Sequence, residues 1–152
     1  MNRGFSKINY EIDAEKINSI YVRDSNKGID LETSKDGSIH VTYYDNEKNH
    51  YKITNDGGKL SVIYEQKFDH QIFFNFGSFF RDMTLTVSIP EQYAGYMDMA
   101  ASNGRITASN IDMKNDLKLE TSNARICLNN MRSTENLFAK TSNGKIEVQF
   151  KG

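Results

Sequence analysis

Ser102-Asn103-Gly104-Arg105-Ile106, Ser122-Asn123-Ala124-Arg125-Ile126 and Ser142-Asn143-Gly144-Lys145-Ile146 recur at intervals of 20 residues. The flanks keep the same phase. Before the turn, Met97, Leu117 and Leu137 share one position, and Met99, Leu119 and Ala139 another. After it come Ile106, Ile126 and Ile146, then Ala108, Leu128 and Val148. Asn110 matches Asn130, and Ile111 matches Met131. Self-similarity at a fixed period marks a repeat architecture in which neighbouring units bury each other's apolar faces. Each unit reads as strand, Ser-Asn-Gly turn, strand, and a second asparagine-bearing turn.

Stacked in register, equivalent residues of successive units lie about 4.8 Å apart. Aliphatic side chains then form continuous inward columns, and Asn103, Asn123 and Asn143 can hydrogen-bond their amides up the stack. Glycine after asparagine suits the positive φ of a tight turn. On that reading Ala124 breaks the rule at a cost of about 1 kcal/mol, unless Asn123 takes the left-handed position in its place. The rival architecture is a set of antiparallel hairpins in a sandwich or meander, because Asn-Gly between alternating strands is also a hairpin signal. Hairpins do not require constant spacing or matching columns, so the reading preferred is an all-β solenoid of 20-residue coils.

Working outward, the earlier stretches alternate with period two, as half-buried strands do. Ile20 and Val22, Ile29 and Leu31, Ile39 and Val41, Tyr51 and Ile53, Leu60 and Val62, and Leu85, Val87 and Ile89 each point one way. Asp13 to Ser19 allows one short helical turn. A looser repeat links Thr33-Ser34-Lys35-Asp36-Gly37 with Ile53-Thr54-Asn55-Asp56-Gly57, again 20 apart, with Gly58 inserted after the second. Residues 1–152 thus read as one all-β domain: 1–92 as irregular strands or degenerate coils, 93–152 as regular repeats.

The run Leu85-Thr86-Val87-Ser88-Ile89-Pro90, then Tyr93 and the three Ser-Asn units, resembles the bacterial "putative adhesin" β-strand-repeat family of undefined function. The aromatic stretch Phe73-Phe74-Asn75-Phe76-Gly77 is similar to that family's pattern as well, and the likeness runs roughly from Ile17 to the C-terminus. The resemblance implies a right-handed β-helix-like fold, often carried outside the membrane on an anchored bacterial protein. Ala124 departs from the family pattern. Met1 to Tyr10 lacks the apolar core of a signal peptide, and no run approaches the roughly 20 apolar residues of a membrane span.

The formal net charge of −1 argues against a nucleic-acid partner, which would call for phosphate neutralisation. A single cysteine, Cys127, excludes an internal disulfide; it alternates with Ile126 and Leu128 and should face outward, with no histidine near it to act as a base. His40, His50 and His70 are far apart in sequence and lack zinc spacing, and the Asn-Gly turns lack the Gly-Asp pattern of calcium-binding solenoids. No catalytic residue, metal or cofactor is therefore assigned.

Two features mark an interaction surface. Arg105, Arg125 and Lys145 form a basic column beside the turns, suited to a polyanion such as an acidic glycan or teichoic acid, though such columns are commonly only solvated edges. Phe68, Phe73, Phe74, Phe76, Phe79 and Phe80 crowd six of the nine phenylalanines into one short stretch, either a cap over the coil stack or an exposed partner surface. Phe150 holds the phase of Asn110 and Asn130, so the last unit lacks its closing turn, and an open strand edge there invites self-association. The expected role is a non-enzymatic scaffold, adhesion or envelope-associated module binding a protein or glycan surface. The alternatives are a carbohydrate-active β-helix enzyme and a sensory domain that contacts a membrane partner.

Overall fold

The computed structural model describes residues 5–66, 83–133 and 135–150. The elements run β1 (Ser6–Asp13), a 3-10 turn (Ala14–Lys16), β2 (Ser19–Arg23), β3 (Ile29–Thr33), β4 (Ser38–Asp45), β5 (Asn49–Asp56) and β6 (Lys59–Gln66). They continue with β7 (Leu85–Ile89), β8 (Tyr96–Ala101), β9 (Ile106–Ser109), β10 (Asp112–Met113), β11 (Leu117–Thr121), β12 (Ile126–Ser133), β13 (Leu137–Thr141) and β14 (Ile146–Phe150). The chain is all-β. The turn expected near Asp13 is the 3-10 segment, and the Asp13 carboxylate caps it by accepting from the Glu15 N–H at 3.0 Å.

The three Ser-Asn units stack parallel and in register. Leu117 pairs with Met97 on one side and Leu137 on the other; Ile126 pairs with Ile106 and Ile146. Residues 97–101 therefore do not fold back on 106–110, and the hairpin alternative fails for this half of the chain.

Two further coils extend the stack, and their order in space differs from their order in sequence. β2 pairs parallel with β8, and β3 with β9, so the β2–β3 unit sits directly under the β8–β9 coil. Beneath it β6 pairs parallel with β2, and β7 with β3. Four columns of five residues result. They are Leu60–Ile20–Met97–Leu117–Leu137, Val62–Val22–Met99–Leu119–Ala139, Leu85–Ile29–Ile106–Ile126–Ile146 and Val87–Leu31–Ala108–Leu128–Val148. Every member except the last of each column is essentially inaccessible to water.

The lower end is closed by antiparallel strands: β4 on β7, β1 on β4, and β5 on β6. This corrects the looser repeat read between Thr33–Gly37 and Ile53–Gly57. The second of these is the β5–β6 hairpin, whose Gly57 and Gly58 both take positive φ (59° and 91°), as a two-residue primed turn requires. Gly58, read as an insertion, is half of that turn.

Candidate functional site

The turn edge of the stack is built by repetition. In each turn the backbone N–H groups point at the serine carbonyl of the coil below: Asn103 and Gly104 to Ser25, Asn123 to Ser102 and Asn143 to Ser122, at 2.9–3.1 Å. The asparagine side chains form the ladder expected of Asn103, Asn123 and Asn143. The Asn143 amide donates to Asn123 at 2.7 Å, Asn123 to Asn103 at 2.6 Å, and Asn103 onward to Asn26 at 2.7 Å. Thr121 and Thr141 repeat one hydroxyl bond, to the carbonyls of Gly104 and Ala124 at 2.8 and 2.7 Å. A second ladder runs along the other turn, where Asn130 donates to Asn110 at 2.6 Å and both take positive φ.

The glycine of the Ser-Asn-Gly turn is explained by crowding, and the positive-φ expectation is wrong. Among the described residues, positive φ occurs at Asn110, Asn130, Gly28, Gly57 and Gly58 only. A Cβ on Gly104 would instead lie 2.3 Å from the Gly28 nitrogen, and one on Gly144 would lie 1.9 Å from the Ala124 carbonyl oxygen. At Gly104 and Gly144 the neighbouring coil backbone leaves no room for a Cβ, whereas Ala124 carries one at the equivalent position. Nor does Asn123 take a left-handed conformation to accommodate Ala124.

Ser25-Asn26-Lys27-Gly28-Ile29 is the member of this motif that sequence reasoning missed. Its Ser-Asn-x-x-Ile frame is intact, but glycine and the cation are exchanged, and it lies 77 residues before its structural neighbour. The exchange has a consequence. Lys27 stands where Gly104 stands in the next coil, and its side chain turns inward to 5% exposure. Its ammonium lies 4.9, 5.1 and 5.4 Å from the ring centres of Tyr51, Tyr64 and Phe5, and donates to the Tyr44 carbonyl at 3.2 Å. Asp24 beside it accepts from the Tyr51 hydroxyl and from the Ser25 N–H, both at 2.8 Å. Burial pushes the Asp24 carboxyl above its ordinary value against the pull of the Tyr51 hydrogen bond, and burial lowers Lys27 against the attraction of Asp24 and Asp45. These groups fasten the coil to the antiparallel cap.

The three basic residues beside the turns each precede an in-register strand of a successive coil. Arg105, Arg125 and Lys145 are all exposed at one level of the turn edge. Lys145 pairs with Glu147 at 3.0 Å, and its hydrogen bond holds the Glu147 carboxyl below the usual range, with a smaller pull from Arg125. The column ends at Arg105, because its counterpart in the coil below is Gly28. Cys127 faces outward between Thr107 and Glu147, half-exposed, with its Sγ 4.0 Å from Glu147. The other proposed contact residues, Phe73, Phe74, Phe76, Phe79 and Phe80, lie outside the described residues.

One group of metal-type ligands occurs among the described residues: Glu11, Asp36 and His40. His40 Nε2 lies 2.9 Å from Asp36, which also accepts from the Ser34 hydroxyl at 2.8 Å and the Ser38 N–H at 2.9 Å. Those bonds, the Ser38 N–H foremost, pull the Asp36 carboxyl down to about 2. The geometry is that of a turn closed by its own side chains.

Across the chain, Phe150 does not hold the phase of Asn130. The β12–β14 register slips, and Phe150 pairs with Met131 in the apolar row, because no turn residue is spent before it. No helix among the described residues is long and apolar enough to cross a membrane.

Comparison with solved structures gives a "putative cell adhesion protein" from Clostridium sporogenes ATCC 15579 at TM-score 0.62 and 7% identity, covering 97% of this chain and 100% of that one. A "putative adhesin" from Parabacteroides merdae ATCC 43184 covers 96% of both chains at 11% identity, with a TM-score of 0.35. At such identities the likeness of the first speaks for the fold alone. No curated protein matches the sequence. The sequence model of the Toastrack DUF4097 family matches residues 17–151, nearly the whole of the repeat and its cap, and the chain belongs to that family.

Proposed function

We propose that this chain is a non-enzymatic, adhesion-type β-solenoid module of the bacterial cell envelope, and that its turn edge holds a polyanionic envelope polymer. Its coils are read as a right-handed β-helix, since crossovers between parallel strands of one sheet take that hand in about 98% of cases. The observation that carries the binding role is the column of Arg105, Arg125 and Lys145 beside the asparagine ladder. Hydrogen-bonded in-register strands fix the pitch of these cations at about 4.8 Å per step. A rigid row of cations suits a polymer with regularly repeated charge, such as an acidic glycan or teichoic acid. The adhesion-type relatives and the family membership support an extracytoplasmic or membrane-associated setting.

The test is binding of purified teichoic acid and of an acidic polysaccharide to the immobilised protein. The triple variant Arg105→Glu, Arg125→Glu, Lys145→Glu should lose binding. Wild-type binding should weaken steeply with salt, since exposed charges are screened within about 10 Å at 0.1 M ionic strength. Undiminished binding by the triple variant would remove the column from the account.

A further inference from the structure

Four of the five large apolar side chains that the described residues leave exposed belong to one coil. They are Phe138 (49%), Ile146 (39%), Val148 (39%) and Phe150 (60%), the fifth being Ile63. Ile146 and Val148 continue columns whose other members are sealed from water, so this face has the chemistry of an interior. The opposite end of the stack is dressed differently. There β1 turns Lys7 and Glu11 outward, and β5 turns out Lys52 and Asp56. Among the described residues β13 and β14 are hydrogen-bonded on one side only, to β11 and β12, and the other side presents a row of backbone donors and acceptors.

We infer that this coil is a self-association surface, on which a second copy seats the same coil about a two-fold axis passing through Ala139 and Val148. The strand centres select that axis, since Ala139 is the middle residue of β13 and Val148 the middle residue of β14. Ala139 lies as many residues before the Asn143–Gly144 bond as Val148 lies after it. One axis crossing both strands at these residues therefore runs β13 antiparallel to its copy and β14 antiparallel to its copy at once. Residues opposite each other across such a pair are in contact, and like charges there are destabilising. The register sets Leu137 opposite Thr141, Phe138 opposite Lys140, Ile146 opposite Phe150 and Glu147 opposite Gln149 of the second copy. No like charges meet in these pairs. Phe138 already has the Lys118 ammonium 5.8 Å from its ring centre, and Lys140 of the second copy approaches the ring from the other side. An end-to-tail arrangement would instead lay this apolar coil on the charged residues of the cap. A two-fold interface also closes on itself, so assembly stops at the dimer. The surface meets the basic column only at Lys145, which pairs with Glu147, so polyanion binding through Arg105 and Arg125 and dimerisation can fail independently.

Sedimentation equilibrium over a concentration series, without polymer, reads the assembly. The mass should rise from 17.4 kDa to twice that value and no further. Val148→Lys places a charge against its own copy on the axis, and Phe138→Lys sets it opposite Lys140. Each should hold the protein monomeric with the wild-type circular dichroism spectrum, whereas Lys7→Glu on the cap should leave the dimer intact. In a Cys127→Ser background, Ala139→Cys should cross-link two copies under mild oxidation. A monomer at high micromolar concentration, a dimer indifferent to both lysine variants, or a dimer that Ala139→Cys fails to cross-link would each overturn the assignment.

Discussion

Replacing Gly104 with alanine separates two explanations of the repeat's glycine. If the turn needs positive φ, asparagine is the best substitute, since its short polar side chain tolerates the left-handed region. If the neighbouring coil leaves no room, asparagine is worse than alanine. The structure favours crowding: the added Cβ would meet the Gly28 nitrogen at 2.3 Å and the Gly28 Cα at 2.6 Å. Both are backbone atoms of a hydrogen-bonded coil and cannot rotate aside. Relief requires parting the coils where Gly104 donates to Ser25 at 3.1 Å and Asn103 to Asn26 at 2.7 Å. Overpacking of this kind costs about 1–3 kcal/mol. In a domain of this size each kcal/mol lowers Tm by about 2–4 °C. Gly37→Ala is the control, because its Cβ would meet only the Gln92 side chain, at 3.5 Å, and should cost under about 0.5 kcal/mol. Urea denaturation of wild type, Gly104→Ala, Gly104→Asn and Gly37→Ala should rank them in the order wild type and Gly37→Ala, then Gly104→Ala, then Gly104→Asn. A Gly104→Asn protein as stable as wild type would refute the crowding argument.

Two other outcomes test the core and the buried cluster. Leu119 is sealed between Met99 and Ala139, so Leu119→Ala should destabilise by about 2–5 kcal/mol in the same assay. Lys118→Ala, on the outward face of that strand, should stay near 0.5 kcal/mol, and equal effects would mean the faces are misassigned. Asp24 has a folded-state pKa raised by burial, so the native state binds its proton more tightly than the unfolded chain does. Its contribution is then greatest below the ordinary value of 3.8 and is lost as pH rises through the raised one. Asp24→Asn keeps an acceptor for Tyr51 and cannot ionise. The stability of wild type relative to this variant should decline as pH rises above the ordinary carboxyl value of 3.8, and a difference independent of pH would argue against a buried, titrating carboxyl.

The sequence by itself determined what repeats and in which phase. Ile106, Ile126 and Ile146 could share a column only if their strands stacked in register, and the matching asparagines carried the ladder with them. Strand alternation around Ile20, Ile29, Leu60 and Leu85 was equally legible, because burial on one face imposes a period of two. The partner of each of those strands was not. β2–β3 lies 77 residues from the coil it supports, and β6–β7, which comes later in the chain, sits below it. Local pattern cannot encode that order; it is set by which apolar columns close on one another once the chain has collapsed. The same holds for single residues. Thr33–Gly37 and Ile53–Gly57 look alike in sequence, yet one precedes a strand of the cap and the other is a hairpin. Gly104 looks like a positive-φ glycine, and only the position of the Gly28 backbone reveals that its missing side chain makes room for another coil. Lys27 reads as one more surface cation, and it is buried because the tertiary fold sets tyrosines from β5 and β6 beneath the turn where its neighbours have none.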